Sequence, residues 1–200
     1  MPRLIDGQDP FRFEYDSSRL QLPPDATPML HAHGLAVDDD SHILLSYQPN
    51  TSSADSSSSP SCLVRWRPDG TGGTVVRTSR HVCMGQPHSL RLAHEADGRS
   101  VLYHVNNGQS SGAAHLFKTT LDASTILWSM TGPPLHKDSL PWLGGPTWLA
   151  TPPNSPFIYL TDGYGTSRVH AYFASNGSYT GLSFGGKARG AGSKYHYLEK

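Results

Sequence analysis

The chain has 200 residues, enough for one domain or two with a proper core. Sixteen Lys and Arg are balanced by sixteen Asp and Glu, and this zero net charge removes the bulk electrostatic case for a nucleic-acid or anionic-membrane partner. Twenty glycines and 16 prolines favour tight turns over long helices, and 11 histidines bring metal or proton chemistry into view.

In chain order, Met1 to Leu20 carries no apolar h-region, so no secretory signal is visible and the cytoplasm is the default compartment. No run approaches the ~18 apolar residues of a membrane span. Residues 1–30, with Pro10, Pro23, Pro24 and Pro28, read as an irregular arm with room for one strand. From His33 a plan of short apolar runs begins: His33 to Asp38, Ile43 to Tyr47, then Cys62 to Trp66. Asn50 to Ser61 interrupts it as a Ser-rich surface loop.

The plan restarts at His88, with Val101 to Val105, His115 to Lys118 and Thr125 to Trp128 following. It restarts again at Trp148, followed by Phe157 to Leu160, Arg168 to Phe173 and Tyr179 to Phe184. The starts lie 55 and 60 residues apart. Runs of four to six residues rich in Val, Ile, Tyr and Phe, separated by turn signals such as Asp69-Gly70, Asp97-Gly98 and Asn176-Gly177, predict strands. No sustained 3.6-residue period predicts a helix. Three repeats of about four strands predict an all-β fold, a partial β-propeller, in preference to a β-sandwich that would need no internal similarity. The blades are placed at about 31–80, 81–140 and 141–184, with a Gly- and Lys-rich tail over 185–200 leading toward a further blade.

Two cysteines, Cys62 and Cys83, lack the C-x-x-C spacing. They can pair, but free buried thiols are the expected state. Gly108 to Gly112 matches G-x-S-x-G without the strand–turn–helix setting of a hydrolase nucleophile. Gly181 to Lys187 matches a phosphate loop up to Ala188, which replaces the required Ser or Thr.

Two segments are less generic: Gly85-Gln86-Pro87-His88-Ser89-Leu90, and Thr161-Asp162-Gly163-Tyr164-Gly165-Thr166-Ser167-Arg168-Val169-His170. They resemble NHL-repeat propellers, and more narrowly the peptidyl-α-hydroxyglycine α-amidating lyases with their bacterial six-bladed relatives. The Phe184 to Tyr195 loop and the Leu116 to Asp122 hairpin are similar to segments of the same group. The resemblance spans roughly residues 30–195, about three blades of six.

The resemblance implies a zinc ion on the propeller axis, held by blade-opening histidines, with a structural calcium nearby. Carried over by position, His33 and His88 match the metal ligands and Tyr164 the catalytic tyrosine. In that family arginines also handle the substrate, a peptide or small molecule cleaved to an amide and glyoxylate, and the planar guanidinium of Arg168 suits a carboxylate, which opens a substrate role for it. Two histidines are too few for a catalytic zinc, which usually has three protein ligands. The bland alternatives stay open: a channel-facing polar pair for His33 and His88, a turn aromatic for Tyr164, and a structural partner of Asp162 for Arg168. His31, two residues from His33, would share its strand face. A non-catalytic binding scaffold, or a fragment that associates with itself through open blade edges, is the alternative to a lyase.

Overall fold

The structure is a computed structural model that describes residues 4–8, 10–50, 60–107, 114–131 and 145–186. Three four-stranded antiparallel sheets carry the fold, each with its strands in simple sequence order. Blade 1 comprises β3 (Met29–Val37), β4 (Ile43–Pro49), β5 (Leu63–Trp66) and β6 (Thr74–Val75). Blade 2 comprises β7 (Pro87–His94), β8 (Ser100–Asn106), β9 (Leu116–Thr120) and β10 (Ile126–Met130). Blade 3 comprises β11 (Trp148–Ala150), β12 (Phe157–Asp162), β13 (Arg168–Phe173) and β14 (Tyr179–Gly185). This is the meander expected of about three propeller blades.

The expectations for the ends of blade 1 need correction. Residues Leu4–Gln8 (β1) and Phe11–Tyr15 (β2) pair as a two-stranded hairpin, where room for a single strand was expected. A five-residue helix, α1 (Arg80–Met84), joins blade 1 to blade 2. It is too short to show a periodic pattern in the sequence, and Ser79 caps it by accepting from the His81 N–H. Gly181 to Gly185, the apparent phosphate loop, is strand β14. Residues 51–59 of the Ser-rich loop, the Gly108 to Gly112 motif and the tail from 187 onward lie outside the described residues.

Alternation along the strands decides how the blades stack. Leu44 and Leu63 of blade 1 bury against Leu90 and Leu102 of blade 2. Val101, Tyr103, Val105 and Leu116 of blade 2 bury against Leu149, Ile158, Leu160 and Tyr172 of blade 3. Each fully buried side chain of this size contributes about 1.5–3 kcal/mol, so the blade-to-blade faces carry the stability. The arm covers the other face of blade 1: Leu22 and Ala26, with Met29, pack on Tyr47, Val64 and Trp66.

Cys62 and Cys83 are bonded to each other, with Cα atoms 5.3 Å apart. The expected free thiols are therefore corrected. Spacing alone missed the pair because α1 turns the chain back onto the start of β5, and Val82, Cys83 and Cys62 bury together with Phe117.

Candidate functional site

The first strands of the three blades lie side by side, β7 packing against both β3 and β11, with His33 in the middle of β3 and His88 second in β7. At Gly34 the approach is close: a Cβ there would stand 2.6 Å from the Leu90 nitrogen and 2.9 Å from the Ser89 carbonyl carbon. Only a glycine lets β3 lie this near β7. The consequence is on either side of the contact: the His33 and His88 rings stack, centroids 4.4 Å apart and planes 2° from parallel.

Blade 3 completes the group. The His88 Nδ1 donates to the Thr147 carbonyl at 2.9 Å. That bond fixes the tautomer and leaves Nε2 as a lone-pair donor, with the Tyr164 hydroxyl 3.4 Å from it. The Tyr164 ring meets His88 edge-on, centroids 5.5 Å apart, and is 65% exposed. Burial lowers the His88 pKa below its ordinary value, partly offset by the Thr147 bond, with His33 adding a further downward push. His88 is therefore neutral at pH 7, the form that binds metals or accepts protons.

The loop that carries Tyr164 is built on Asp162. This carboxylate is fully buried and accepts from the Gly145 N–H at 2.8 Å, and from both the N–H and the hydroxyl of Thr166 at 2.7 Å. The Tyr164 N–H donates to the Gly145 carbonyl at 3.2 Å. Gln86 and Ser167, in the two loops that carry His88 and Tyr164, hold left-handed φ values of 57° and 56°. Such conformations cost of order 1 kcal/mol each and persist only where the surroundings enforce them.

The structure thus brings His33, His88 and Tyr164 together. His31 extends the row, its ring centroid 6.3 Å from that of His33, with β-bulges interrupting β3 on both sides of this stretch. Arg168 stands elsewhere in the pattern: it opens β13, directly across from Asp162, and its charge is felt at His170. Thr147 was invisible to sequence reasoning because it acts through its backbone carbonyl, which any residue supplies. Gly34 did leave a signal, a glycine directly after the blade-opening histidine.

His88 has one feature of a metal-bound imidazole, a ring nitrogen held by a backbone carbonyl, and the His33 ring is stacked on it. Among the described residues no set of three ligand atoms that includes His33 or His88 comes within 4.8 Å of one another, His31 not excepted. Asp38, Asp40 and His42, in the β3–β4 turn, are the one group of three among the described residues whose ligand atoms come within 4.8 Å of one another. The Arg65 guanidinium lies 2.6 Å from Asp38 and 3.6 Å from Asp40, so the acidic pair already has a cation. Burial pushes the Asp38 carboxyl up, but the His42 N–H, Arg65 and His42 outweigh it and hold it below the ordinary range. The imidazole in this set suits calcium poorly, since calcium takes oxygen ligands.

A separate cleft of about 820 Å³ lies at the opposite ends of the inner strands, among Val37, Arg91, His94, Pro153 and Phe157. Among the described residues no helix is long and apolar enough to cross a membrane.

Fold and site together define a class: a set of propeller-like blades with an imidazole–phenol group at their inner ends. Compared with protein-family models and with curated proteins, the sequence matches none.

Proposed function

We propose that the chain forms part of the axial site of a metal-dependent lyase-type propeller, with His33 and His88 as two of the zinc donors. The observation that carries this is His88, whose Nδ1 is tied to the Thr147 carbonyl while Nε2 faces the Tyr164 hydroxyl. Zinc bound there would polarise a substrate oxygen as a Lewis acid. In this reading Tyr164, exposed on its Asp162-braced loop, acts in its ionised form and as a phenolate receives the proton of the substrate's α-hydroxyl, becoming the neutral phenol. The C–N electron pair leaves with the amide nitrogen, which takes up a proton, and the hydroxyl carbon becomes the carbonyl of glyoxylate. The peptide-α-hydroxyglycine substrate rests on the resemblance, and a substrate role for Arg168 on its planar guanidinium, which suits a carboxylate.

A binding module without catalysis is the second reading. The motive is the donor count, two imidazoles among the described residues against the usual three protein ligands. Calorimetric zinc titration of the wild-type chain, His88→Ala and Tyr164→Phe, followed by a glyoxylate assay, separates the two. Zinc binding lost in His88→Ala, with glyoxylate lost in Tyr164→Phe, supports the lyase. Zinc binding without glyoxylate supports the module, and no zinc binding by the wild type sinks both metal readings.

A further inference from the structure

Two Asn-x-Ser sequons stand in the sequence, Asn50-Thr51-Ser52 and Asn176-Gly177-Ser178. Such a sequon accepts an N-linked glycan where it lies on an exposed loop of a secreted chain. The second is the one that lies wholly among the described residues. Asn50 is half-buried, and its N–H donates to the Pro28 carbonyl at 2.7 Å.

Asn176 is exposed, in the turn that joins β13 to β14. Its Oδ1 accepts from the Ser178 N–H at 2.9 Å and from the Ser178 hydroxyl at 2.7 Å. The side-chain amide is therefore held by its oxygen end, and Nδ2 makes no hydrogen bond among the described residues. Nδ2 is the atom to which a glycan is joined. The hydroxyl that the sequon demands already sits on the same amide, where it draws electron density toward Oδ1.

The turn holds its shape without the Asn176 side chain. The Phe173 N–H donates to the Ser178 carbonyl and the Gly177 N–H to the Phe173 carbonyl, both at 2.9 Å. Gly177 is buried with a φ of 71°, and a Cβ on it would stand 2.7 Å from the Trp128 ring. The Ala174 carbonyl accepts from Trp128 and Lys118. Blade 2 thus grips the turn on either side of Asn176 and leaves that side chain outside. The turn also follows the end of β13 remote from the Tyr164 loop, so a glycan here leaves the imidazole–phenol group open.

The Cys62–Cys83 bond is a second, independent pointer. Disulfides persist in oxidising compartments, among them the secretory lumen in which N-glycans are transferred. We propose that Asn176 is an N-glycosylation site. The donor is a lipid-linked oligosaccharyl pyrophosphate. Its sugar C1–O bond breaks, with the electron pair leaving on the pyrophosphate. Nδ2 forms the new C1–N bond and gives up one proton to the transferase, and nothing is oxidised or reduced. A glycan at Asn176 puts the chain on a secretory route instead of in the cytoplasm, the default compartment read from Met1 to Leu20. The site does not depend on the axial group being catalytic.

The protein isolated from the cells that make it tests this. It is treated with a peptide N-glycosidase in heavy-oxygen water, and its peptides are weighed. The expected result is the Asn176 peptide recovered as aspartate with one heavy oxygen, and an intact chain that migrates faster on a gel after treatment. Expressed in the same cells, Asn176→Gln and Ser178→Ala lose that shift, while Ser178→Thr, which keeps the hydroxyl, retains it. An unmodified Asn176 peptide from the native chain overturns the proposal. So does a peptide that takes the label without the enzyme, which is deamidation, or a shift that survives in Asn176→Gln, which places the glycan elsewhere.

Discussion

The Lys118 ammonium donates to the carbonyl of Ala174 at 3.0 Å, tying the third strand of blade 2 to the β13–β14 turn of blade 3. Trp128 donates to the same oxygen at 3.2 Å, and the Lys118 ammonium also meets the Glu95 carboxylate. A buried lysine is tolerated here because its charge and its donors are answered at once. Between the two mutable partners the costs differ. Lys118→Met removes the charge with its hydrogen bonds, leaves Trp128 on the carbonyl, and is expected to cost about 1 kcal/mol. Glu95→Ala leaves the ammonium buried without its counter-ion and is expected to cost about 3 kcal/mol. Urea unfolding midpoints of the two variants check the order, and equal costs would mean that Lys118 finds water.

Gly34 is the residue on which the imidazole pair depends. Gly34→Ala forces a methyl group into backbone of β7, where neither strand can yield without separating the blades. The expected cost is about 1–3 kcal/mol, with zinc affinity falling more than stability, because His33 is the neighbouring residue. The same substitution at Gly98, whose Cβ would meet nothing within 4 Å, controls for general glycine effects, although its positive φ carries its own strain. Unchanged zinc affinity in Gly34→Ala would show that the ring stack does not matter to the site.

Much of this was legible beforehand, and the reasons are specific. The strands of blade 3 fall within a few residues of the runs beginning at Trp148, Phe157, Arg168 and Tyr179, because each run alternates and ends in a turn signal. His33 and His88 were picked out by their resemblance to blade-opening positions and Tyr164 by its Asp-Gly-Tyr segment, and the three side chains lie together. What escaped was whatever acts through backbone or through distant contact. The Thr147 carbonyl has no side-chain signature, the β1–β2 hairpin lies in a proline-bearing arm, and the Cys62–Cys83 pairing depends on α1, a single turn and a half of helix. Arg168 was singled out by its place in a motif, while the structure sets it beside His170 and Asp162.

The Cys62–Cys83 bond closes a loop across 21 residues of sequence. A loop of that length contributes about 3 kcal/mol through the unfolded chain. Disulfides persist in oxidising compartments, so the chain is expected to fold in higher yield under oxidising than under reducing conditions. The double variant Cys62→Ala, Cys83→Ala is expected to unfold at lower urea by about that energy, and to loosen α1, which leads directly into the His88 loop. Equal stability of the reduced and oxidised chains would remove the bond from any structural role.

Acid sensitivity should trace to His104. Its side chain is buried in β8, with Nε2 bonded to the Thr119 hydroxyl at 3.0 Å and Nδ1 without a hydrogen-bond partner among the described residues. Burial pushes its pKa from 6.5 down to about 4. Above pH 6.5 the ring is neutral in both folded and unfolded chains, and the shift costs nothing. Below that, the unfolded chain takes a proton that the folded chain refuses, so stability falls as pH drops and levels off only below about 4. The full loss is roughly 3 kcal/mol. His88 and His170, also lowered by burial, act with the same sign. The lowered carboxylates, Asp38 among them, lose their contribution only as pH falls below their ordinary 3.8, so the window from 6.5 to about 4.5 isolates the histidines. Urea midpoints across that window should fall steeply for the wild type and less steeply for His104→Gln, which keeps a partner for Thr119 but cannot titrate. Parallel slopes for the two chains would place the acid response elsewhere.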